Sequence, residues 1–257
     1  MSTSETAETQ AGPVKKHDLP LVSIVIPAFN EASRIGQSLD QIAAFLDRTP
    51  LSLEIIVVDD GSTDRTSDVV LQSQLPGLRL IRNDRNHGKG YSVRQGTLNA
   101  TATYVLFTDA DLSAPIDELD KLFDVATREN ADVVIGSRAI DRKFIEKHQS
   151  QSREAGGILF NRAMRLLLGL KIHDTQCGFK LFQREKSLWV FERQTIEGFG
   201  FDPELLFLAA RHGLRIREVP VRWSHSEGTK VRFLRDGVGM FFDLLRIRWN
   251  AVSGKYS

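Results

Sequence analysis

The sequence predicts an α/β fold, a mostly parallel central sheet with helices on both faces. Three observations predict it. Short apolar, β-branched runs recur through the first half of the chain. They alternate with segments whose apolar residues fall at helical spacing. Most of the runs close on Pro, Asp or Gly, residues that turn a chain at a strand end. Strands alternating with helices of this length build βαβ units with right-handed crossovers.

Taken in order, Leu21 to Ile26, closed by Pro27, reads as a first buried strand. Asn30 offers a helix N-cap, and Ile35, Leu39, Ile42 and Leu46 follow at helical spacing. A second strand, Leu53 to Val58, runs into Asp59-Asp60-Gly61-Ser62-Thr63-Asp64. A helix from Thr66 to Ser73 and a strand from Leu78 to Arg82 come next. The turn-rich stretch Asn83 to Gly90 opens a helix from Tyr91 to Asn99. Tyr104 to Thr108 is an apolar run that ends in Asp109-Ala110-Asp111. Ile116 to Glu129 reads as a helix with an acidic first turn, as the helix dipole favours. Ala131 to Ser137 is a further strand, and Arg138 follows it. Ala139 to Gln151 is charged without a clean period and reads as a mobile loop. Gly157 to Leu170 is a helix, Asp174 to Lys180 a loop, Glu204 to His212 a helix, and Ile216 to Trp223 a strand.

Composition narrows the classes. The 257 residues are 41% hydrophobic and 26% charged, which fits one large α/β domain or two small ones. A formal net charge of +1 gives no sign of a nucleic-acid binder, so any preference for anions must come from local patches. The single cysteine, Cys177, excludes an intramolecular disulfide framework and a cysteine-only metal site, and a reducing cytosolic compartment is the easier fit. It reads as a packed small side chain rather than a nucleophile, since no histidine is placed as its partner. Met1 to Lys16 lacks an apolar core and reads as part of a disordered tail over residues 1–20, neither signal peptide nor anchor. No window reaches the roughly 18 to 20 consecutive apolar residues of a spanning helix. A soluble or membrane-associated protein is expected.

The motifs sit at strand ends, where open α/β sheets place ligands. Asp109 and Asp111 offer hard oxygens suited to Mg²⁺ or Mn²⁺ shared with substrate phosphates. Pro27, Glu31, Asp59 and Asp60 are placed to meet a base edge and ribose hydroxyls, with Gly61 allowing close backbone approach. Lys89, in Asn86-His87-Gly88-Lys89-Gly90, can reach a phosphate or a base carbonyl. Arg138 can grip phosphate bidentately, and Arg153 could complete a basic pocket for it. Asp174, Gln176, Lys180, Asp202 and Glu204, interleaved with Gly178, Phe179 and Phe201, suggest a substrate wall. For each piece alone, ordinary turn chemistry or a surface charge is the alternative. There is no Gly-x-Gly-x-x-Gly after the first strand and no Gly-Lys-Ser/Thr phosphate loop, which disfavours dinucleotide enzymes and P-loop ATPases. From Val231 to Trp249, Phe233 or Leu234, Val238, Phe241 or Phe242, Leu245 and Trp249 recur at helical spacing. Six Lys or Arg stand against two Asp from Lys230 to Ser257. Such a basic amphipathic helix can lie on an anionic membrane or pack on the core or a second subunit.

Together these motifs resemble the inverting glycosyltransferases of family two, over about Leu21 to Arg232. The likeness rests on residues 58–64, 86–90, 108–111, 136–138, 174–182 and 201–206. The last two, with Glu218 to Trp223 and Glu227 to Lys230, are similar to the branch that glucosylates dolichyl phosphate. The resemblance implies a GT-A fold, a nucleotide-sugar donor such as UDP-glucose, a divalent metal and a polyprenyl-phosphate acceptor. It implies that Pro27, Glu31 and Asp60 hold the nucleoside with Lys89 near the base or phosphates. Asp109 and Asp111 would bridge metal and diphosphate, and Arg138 would receive the acceptor phosphate. Asp202 and Glu204 could serve as a base if the acceptor were instead a sugar hydroxyl. The expected organisation is the tail, a catalytic domain over 21–230 and the basic helix over 231–257, working peripherally at the cytoplasmic face of a membrane. Eukaryotic members of the branch resemble a form with an N-terminal spanning helix, which this sequence lacks, and membrane recruitment by Val231 to Trp249, or by the Gly157 to Leu170 helix, is what that departure puts in question. A hydroxyl-directed transferase of the same fold and a non-catalytic nucleotide-sugar binder are the rival readings.

Overall fold

The elements in chain order are β1 (Val22–Ala28), α1 (Ile35–Leu46), β2 (Leu53–Asp59), α2 (Thr66–Gln72), β3 (Leu78–Arg82), α3 (Lys89–Asn99), β4 (Tyr104–Thr108), α4 (Glu118–Arg128) and β5 (Val133–Ser137). After them come β6 (Ile145–Lys147), α5 (helical at 161–162 and 164–168), β7 (Phe179–Gln183), α6 (Arg184–Arg193), α7 (Phe201–Arg211), β8 (Ile216–Pro220), β9 (Trp223–Ser224) and α8 (Phe233–Val252). This computed structural model describes residues 21–141, 143, 145–147, 161–162, 164–224 and 233–256.

Seven strands form one sheet in the order β3-β2-β1-β4-β7-β5-β8, and β6 pairs with β9 beside it. Every neighbouring pair in the large sheet is parallel except those of β7, which runs antiparallel to both β4 and β5. The inner strands β1, β2, β4 and β5 are mostly apolar because both faces of the sheet are covered there. One face, with Ile24, Ile26 and Leu106, packs on Ile35, Leu39 and Phe45 of α1 and Leu119 and Leu122 of α4. The other, with Val25, Val105 and Phe107, packs on Val93 of α3, Phe191 of α6, Phe201 and Leu205 of α7, and Leu244 and Ile247 of α8.

Several boundaries differ from the sequence reading. β1 runs through Pro27 to Ala28: its pairing with β4 stops at Val25↔Phe107, while pairing with β2 continues through Pro27↔Val58. Asn30 is not the cap of α1. It sits at φ 52, its side chain accepts the N–H groups of Thr63 and Asp64, and the helix starts only at Ile35. Asparagine tolerates that left-handed geometry because its short amide bonds locally. The expected loop over Asp174 to Lys180 ends earlier, since Phe179 and Lys180 already belong to β7, and α6 was not anticipated at all. Part of the expected mobile loop over Ala139 to Gln151 is strand β6 (Ile145–Lys147); residues 142, 144 and 148–151 of that loop, Arg153, and residues 157–160 and 163 of the expected Gly157 helix lie outside the described residues. The expected strand Ile216 to Trp223 divides into β8 and β9.

Candidate active site

Strand directions decide where the motifs meet. β1, β2 and β4 are parallel, and β5 shares their direction because β7 is antiparallel to both β4 and β5. Residues 29–31, 60, 109–111 and 138 therefore emerge on one edge. β7 starts at that same edge, with Phe179 opposite Thr108. Its leading residue, Gly178, lies against the Asp109 carboxylate so closely that a Cβ would overlap it. Glycine is required there by close approach.

Each aspartate of the pair is met by a cation. Lys89 Nζ lies 2.6 Å from Asp109 Oδ1. Arg34 Nη1 lies 3.5 Å from Asp111 Oδ2, while Asp111 Oδ1 accepts from the backbone and hydroxyl of Ser113. Burial pulls the Lys89 ammonium down, but the charges of Asp109, Asp202 and Asp111 outweigh it and hold it above its ordinary value. Arg34 also forks onto Glu31, with Nε–Oε2 at 2.6 Å and Nη2–Oε1 at 2.9 Å. That bond raises its pKa further. Arg34 was missed from sequence, although its place three residues after Glu31 was a usable signal.

The nucleoside candidates separate into two kinds. Asp59 is fully buried; it accepts the Ser62 N–H and the Ser67 hydroxyl and so braces the loop. Asp60 pins the next loop, accepting from Asn83 Nδ2 and from the backbone N–H groups of His87 and Gly88. Gly88, at φ +117, caps α3 and places Lys89 at its first turn. Pro27 and Glu31 lie at the β1 end of the edge, and an open cleft lined by Gly61, Ser62, Thr63, Arg82, Asn83 and Asp84 lies at the β2–β3 end.

The expected wall is mostly a foundation. Lys180 is fully buried, donating to Cys177 O at 2.6 Å and to Asp202 Oδ1 at 2.5 Å. Burial pushes the Asp202 carboxyl above its ordinary range, against the pull of Lys180 and Lys89. Glu204, fully buried, accepts from Thr195, Ile196 N and the Tyr256 hydroxyl. Only Gln176 is partly exposed, with Nε2 3.8 Å from Met240 Sδ on α8. Cys177 is buried and its thiol is pushed up to about 12 by that burial, so it packs as expected.

Arg138 reaches the same edge but is already forked onto Asp174, with Nε–Oδ2 at 2.7 Å and Nη2–Oδ1 at 2.8 Å. It stacks over Trp223 at 5.3 Å. Glu218 holds the loop beneath by accepting the N–H groups of His173 and Asp174. Burial pushes the Asp174 carboxyl up, and the Arg138 guanidinium outweighs it, leaving the pKa below the ordinary carboxylate value. A carboxyl with a depressed folded pKa stabilises the fold above its unfolded pKa of about 4 and loses that contribution as pH falls through the lower folded value. Asp174→Asn is expected to lower stability near neutral pH and to flatten its fall below about pH 4. Denaturant midpoints measured from pH 7 to pH 2 check this; parallel acid limbs for both proteins refute it.

The donor set suits a divalent ion. Two carboxylates stand together, a glycine makes room for one of them, and among the described residues no cluster of three or more His, Cys, Asp or Glu could form a closed cage. Mg²⁺ and Mn²⁺ commonly bind through one or two carboxylates and take further oxygens from substrate phosphates.

A parallel sheet with one antiparallel strand, carrying an Asp-x-Asp at the end of its central strand, defines a GT-A type of transferase. The fold matches glucosyl-3-phosphoglycerate synthase of Mycobacterium tuberculosis in complex with phosphoglyceric acid, at TM-score 0.67 and 22% identity over 89% of this chain and 80% of that one. It also matches mannosyl-3-phosphoglycerate synthase of Rubrobacter xylanophilus, at TM-score 0.66 and 20% identity over 92% and 75%. Residues 23–189 match the family model "Glycosyl transferase family 2". The chain belongs to this family and is a glycosyltransferase. It is similar to the dolichyl-phosphate beta-glucosyltransferases of Trichomonas vaginalis, 35% identical over 88% of this chain and 70% of the relative, and Saccharomyces cerevisiae, 34% identical over 91% and 76%. The enzyme of Drosophila melanogaster is 36% identical over 88% and 74%.

Proposed function

We propose that this enzyme transfers glucose from UDP-glucose to a polyprenyl phosphate with inversion, aided by Mg²⁺ or Mn²⁺. The observation that carries the reading is the meeting of Asp109, Asp111, Lys89 and Arg34 on the sheet edge that also presents Arg138. Relatives named for glucosyl transfer to dolichyl phosphate support donor and acceptor. A fold neighbour was solved with Mn²⁺, UDP-glucose and phosphoglyceric acid.

In this reading Asp109 and Asp111 hold the ion, which would neutralise the departing diphosphate. Pro27, Glu31 and Asp60 with its pinned loop shape the nucleoside end, and Lys89 at the first turn of α3 meets phosphate, where helix N–H groups also point. The acceptor phosphate oxygen attacks the anomeric carbon as the bond to the diphosphate oxygen breaks. A phosphate monoester is anionic at neutral pH and needs no general base, so the protein's work is positioning and charge neutralisation. That suits Asp202, whose carboxylate is committed to Lys180 instead of standing open as a base. Arg138 receives the acceptor phosphate, with Arg153 as a second contact.

The acceptor's lipid calls for a membrane contact at the cytoplasmic face. Among the described residues no helix is long and apolar enough to cross a membrane. α8 buries Leu244 and Ile247 and is pinned by its Asn250 and by Tyr256 just beyond its end, which reach Thr195 and Glu204. Its other face leaves Phe241, Phe242, Leu245, Trp249 at 72% and Val252 at 80% exposed. Those residues include most of the apolar period legible in sequence. α5 and α8 touch the same loop, Met164 through Thr175 and Met240 through Gln176, and Leu166 of α5 is 85% exposed. A Phe242→Ser, Trp249→Ser protein is expected to bind anionic vesicles about tenfold or more weakly, from the lost ring burial, with UDP affinity unchanged. Equal cosedimentation of both proteins would exclude this face.

The function is tested with labelled UDP-glucose, Mn²⁺ and a panel of polyprenyl phosphate, phosphoglyceric acid and free sugars. Label in the organic phase with polyprenyl phosphate alone supports the reading. Transfer only to phosphoglyceric acid or to a sugar hydroxyl refutes the lipid acceptor.

A further inference from the structure

Asp109, placed to ligate a divalent ion, is held from two sides by the chain itself. Its Oδ1 lies 2.6 Å from Lys89 Nζ, and its Oδ2 backs onto Gly178, where even a methyl group would not fit. Lys89 thus occupies one of the two carboxylate oxygens that a divalent ion would use. Asp111 shows the weaker form of the same arrangement, with Arg34 at 3.5 Å. An ammonium and a divalent cation on one carboxylate oxygen repel each other, because both charges would sit within a few ångströms at a partly buried site.

We propose that Lys89 competes with the divalent cation for Asp109 and is drawn off by the nucleotide diphosphate, so that metal and nucleotide bind cooperatively. This rests on the metal and diphosphate reading above. The Lys89 backbone is fixed: Gly88 and His87 donate their N–H groups to Asp60, and Lys89 opens an eleven-residue helix. Its four-carbon side chain can turn without disturbing that anchor. The centroid of the Phe201 ring lies 5.8 Å from Nζ. A diphosphate at the N-terminus of α3 offers the ammonium a second anion within reach. When Lys89 turns to it, Asp109 Oδ1 is released to the ion. By linkage, the ion then raises nucleotide affinity by the same factor.

The test measures Mn²⁺ binding by calorimetry, without and with saturating UDP, for the wild type, Lys89→Met, Lys89→Gln and Lys89→Arg. Circular dichroism verifies that each variant folds, and either neutral variant suffices. The neutral variants are expected to bind Mn²⁺ alone about fivefold or more tightly than the wild type, while Lys89→Arg does not. The gain in Mn²⁺ affinity on adding UDP, large in the wild type, is expected to shrink in the neutral variants. Equal affinity of wild type and neutral variants for Mn²⁺ alone, with UDP still raising it in the wild type, overturns the competition and leaves the metal reading standing. No Mn²⁺ binding by the wild type with UDP overturns the metal reading itself.

Discussion

Replacing Asp109 or Asp111 with alanine is expected to lower glucosyl transfer by about a hundredfold to a thousandfold, the scale on which transition-state charge stabilisation acts. Both carboxylates are partly exposed at the end of β4, outside the core, so the loss should appear in kcat and in Mn²⁺-dependent UDP binding while the fold survives. Asp109 is the more sensitive, because its removal also strands Lys89, whose charge is paired to it at 2.6 Å. Asp111 keeps two bonds to Ser113, so its replacement frees a turn as well as a ligand. Product formation, calorimetry with UDP and Mn²⁺, and circular dichroism check this. Retention of a tenth of wild-type activity in either variant would remove the pair from the reaction.

The second large effect concerns stability. Asp202→Ala is expected to destabilise the protein by about 3–5 kcal/mol, the range found when one partner of a buried ion pair is removed. Lys180 has no exposed surface, and its remaining acceptor would be the Cys177 carbonyl. An ammonium left on one carbonyl in an apolar core, beside the Phe107 ring at 5.0 Å, is poorly compensated. A Lys180→Met, Asp202→Leu double variant should recover most of the loss, since it buries no charge. Denaturant unfolding decides the matter. A single-variant loss below about 1 kcal/mol would mean that water reaches Lys180 and the pair is not a brace. Because Lys180 lies two residues after Gly178, at the start of β7, loosening this pair should also loosen the support behind Asp109.

Much of the fold was legible because both sheet faces are covered. That burial makes the strands β1, β2, β4 and β5 read as mostly apolar runs, and their ends fall within two residues of the expected positions. β7 was illegible for the opposite reason: Lys180 and Gln183 interrupt its apolar pattern, and Lys180 sits in the core only because Asp202 meets it there. α6 was missed because its sequence, Arg184 to Arg193, is mostly polar, with Ser187, Val190 and Phe191 alone buried. The same contrast holds in the site. Asp109, Asp111, Lys89 and Arg138 are types whose chemistry is written in the side chain. Asp59, Asp174 and Glu204 carry equally reactive groups that the fold has spent on holding loops, which no local pattern reveals.

By itself, then, the sequence determined the α/β alternation, the family and the carboxylates at the end of β4, since periodicity and residue type are local properties. Only the tertiary structure decided which charges remain available. Pairing is settled between residues far apart in the chain, such as Lys180 with Asp202, Arg138 with Asp174, Arg34 with Asp111 and Lys89 with Asp109. It also decided that α8 turns Leu244 and Ile247 inward and leaves Trp249 and Val252 exposed. An amphipathic period specifies that a helix has an apolar face, while packing on α7 selects which residues the core takes.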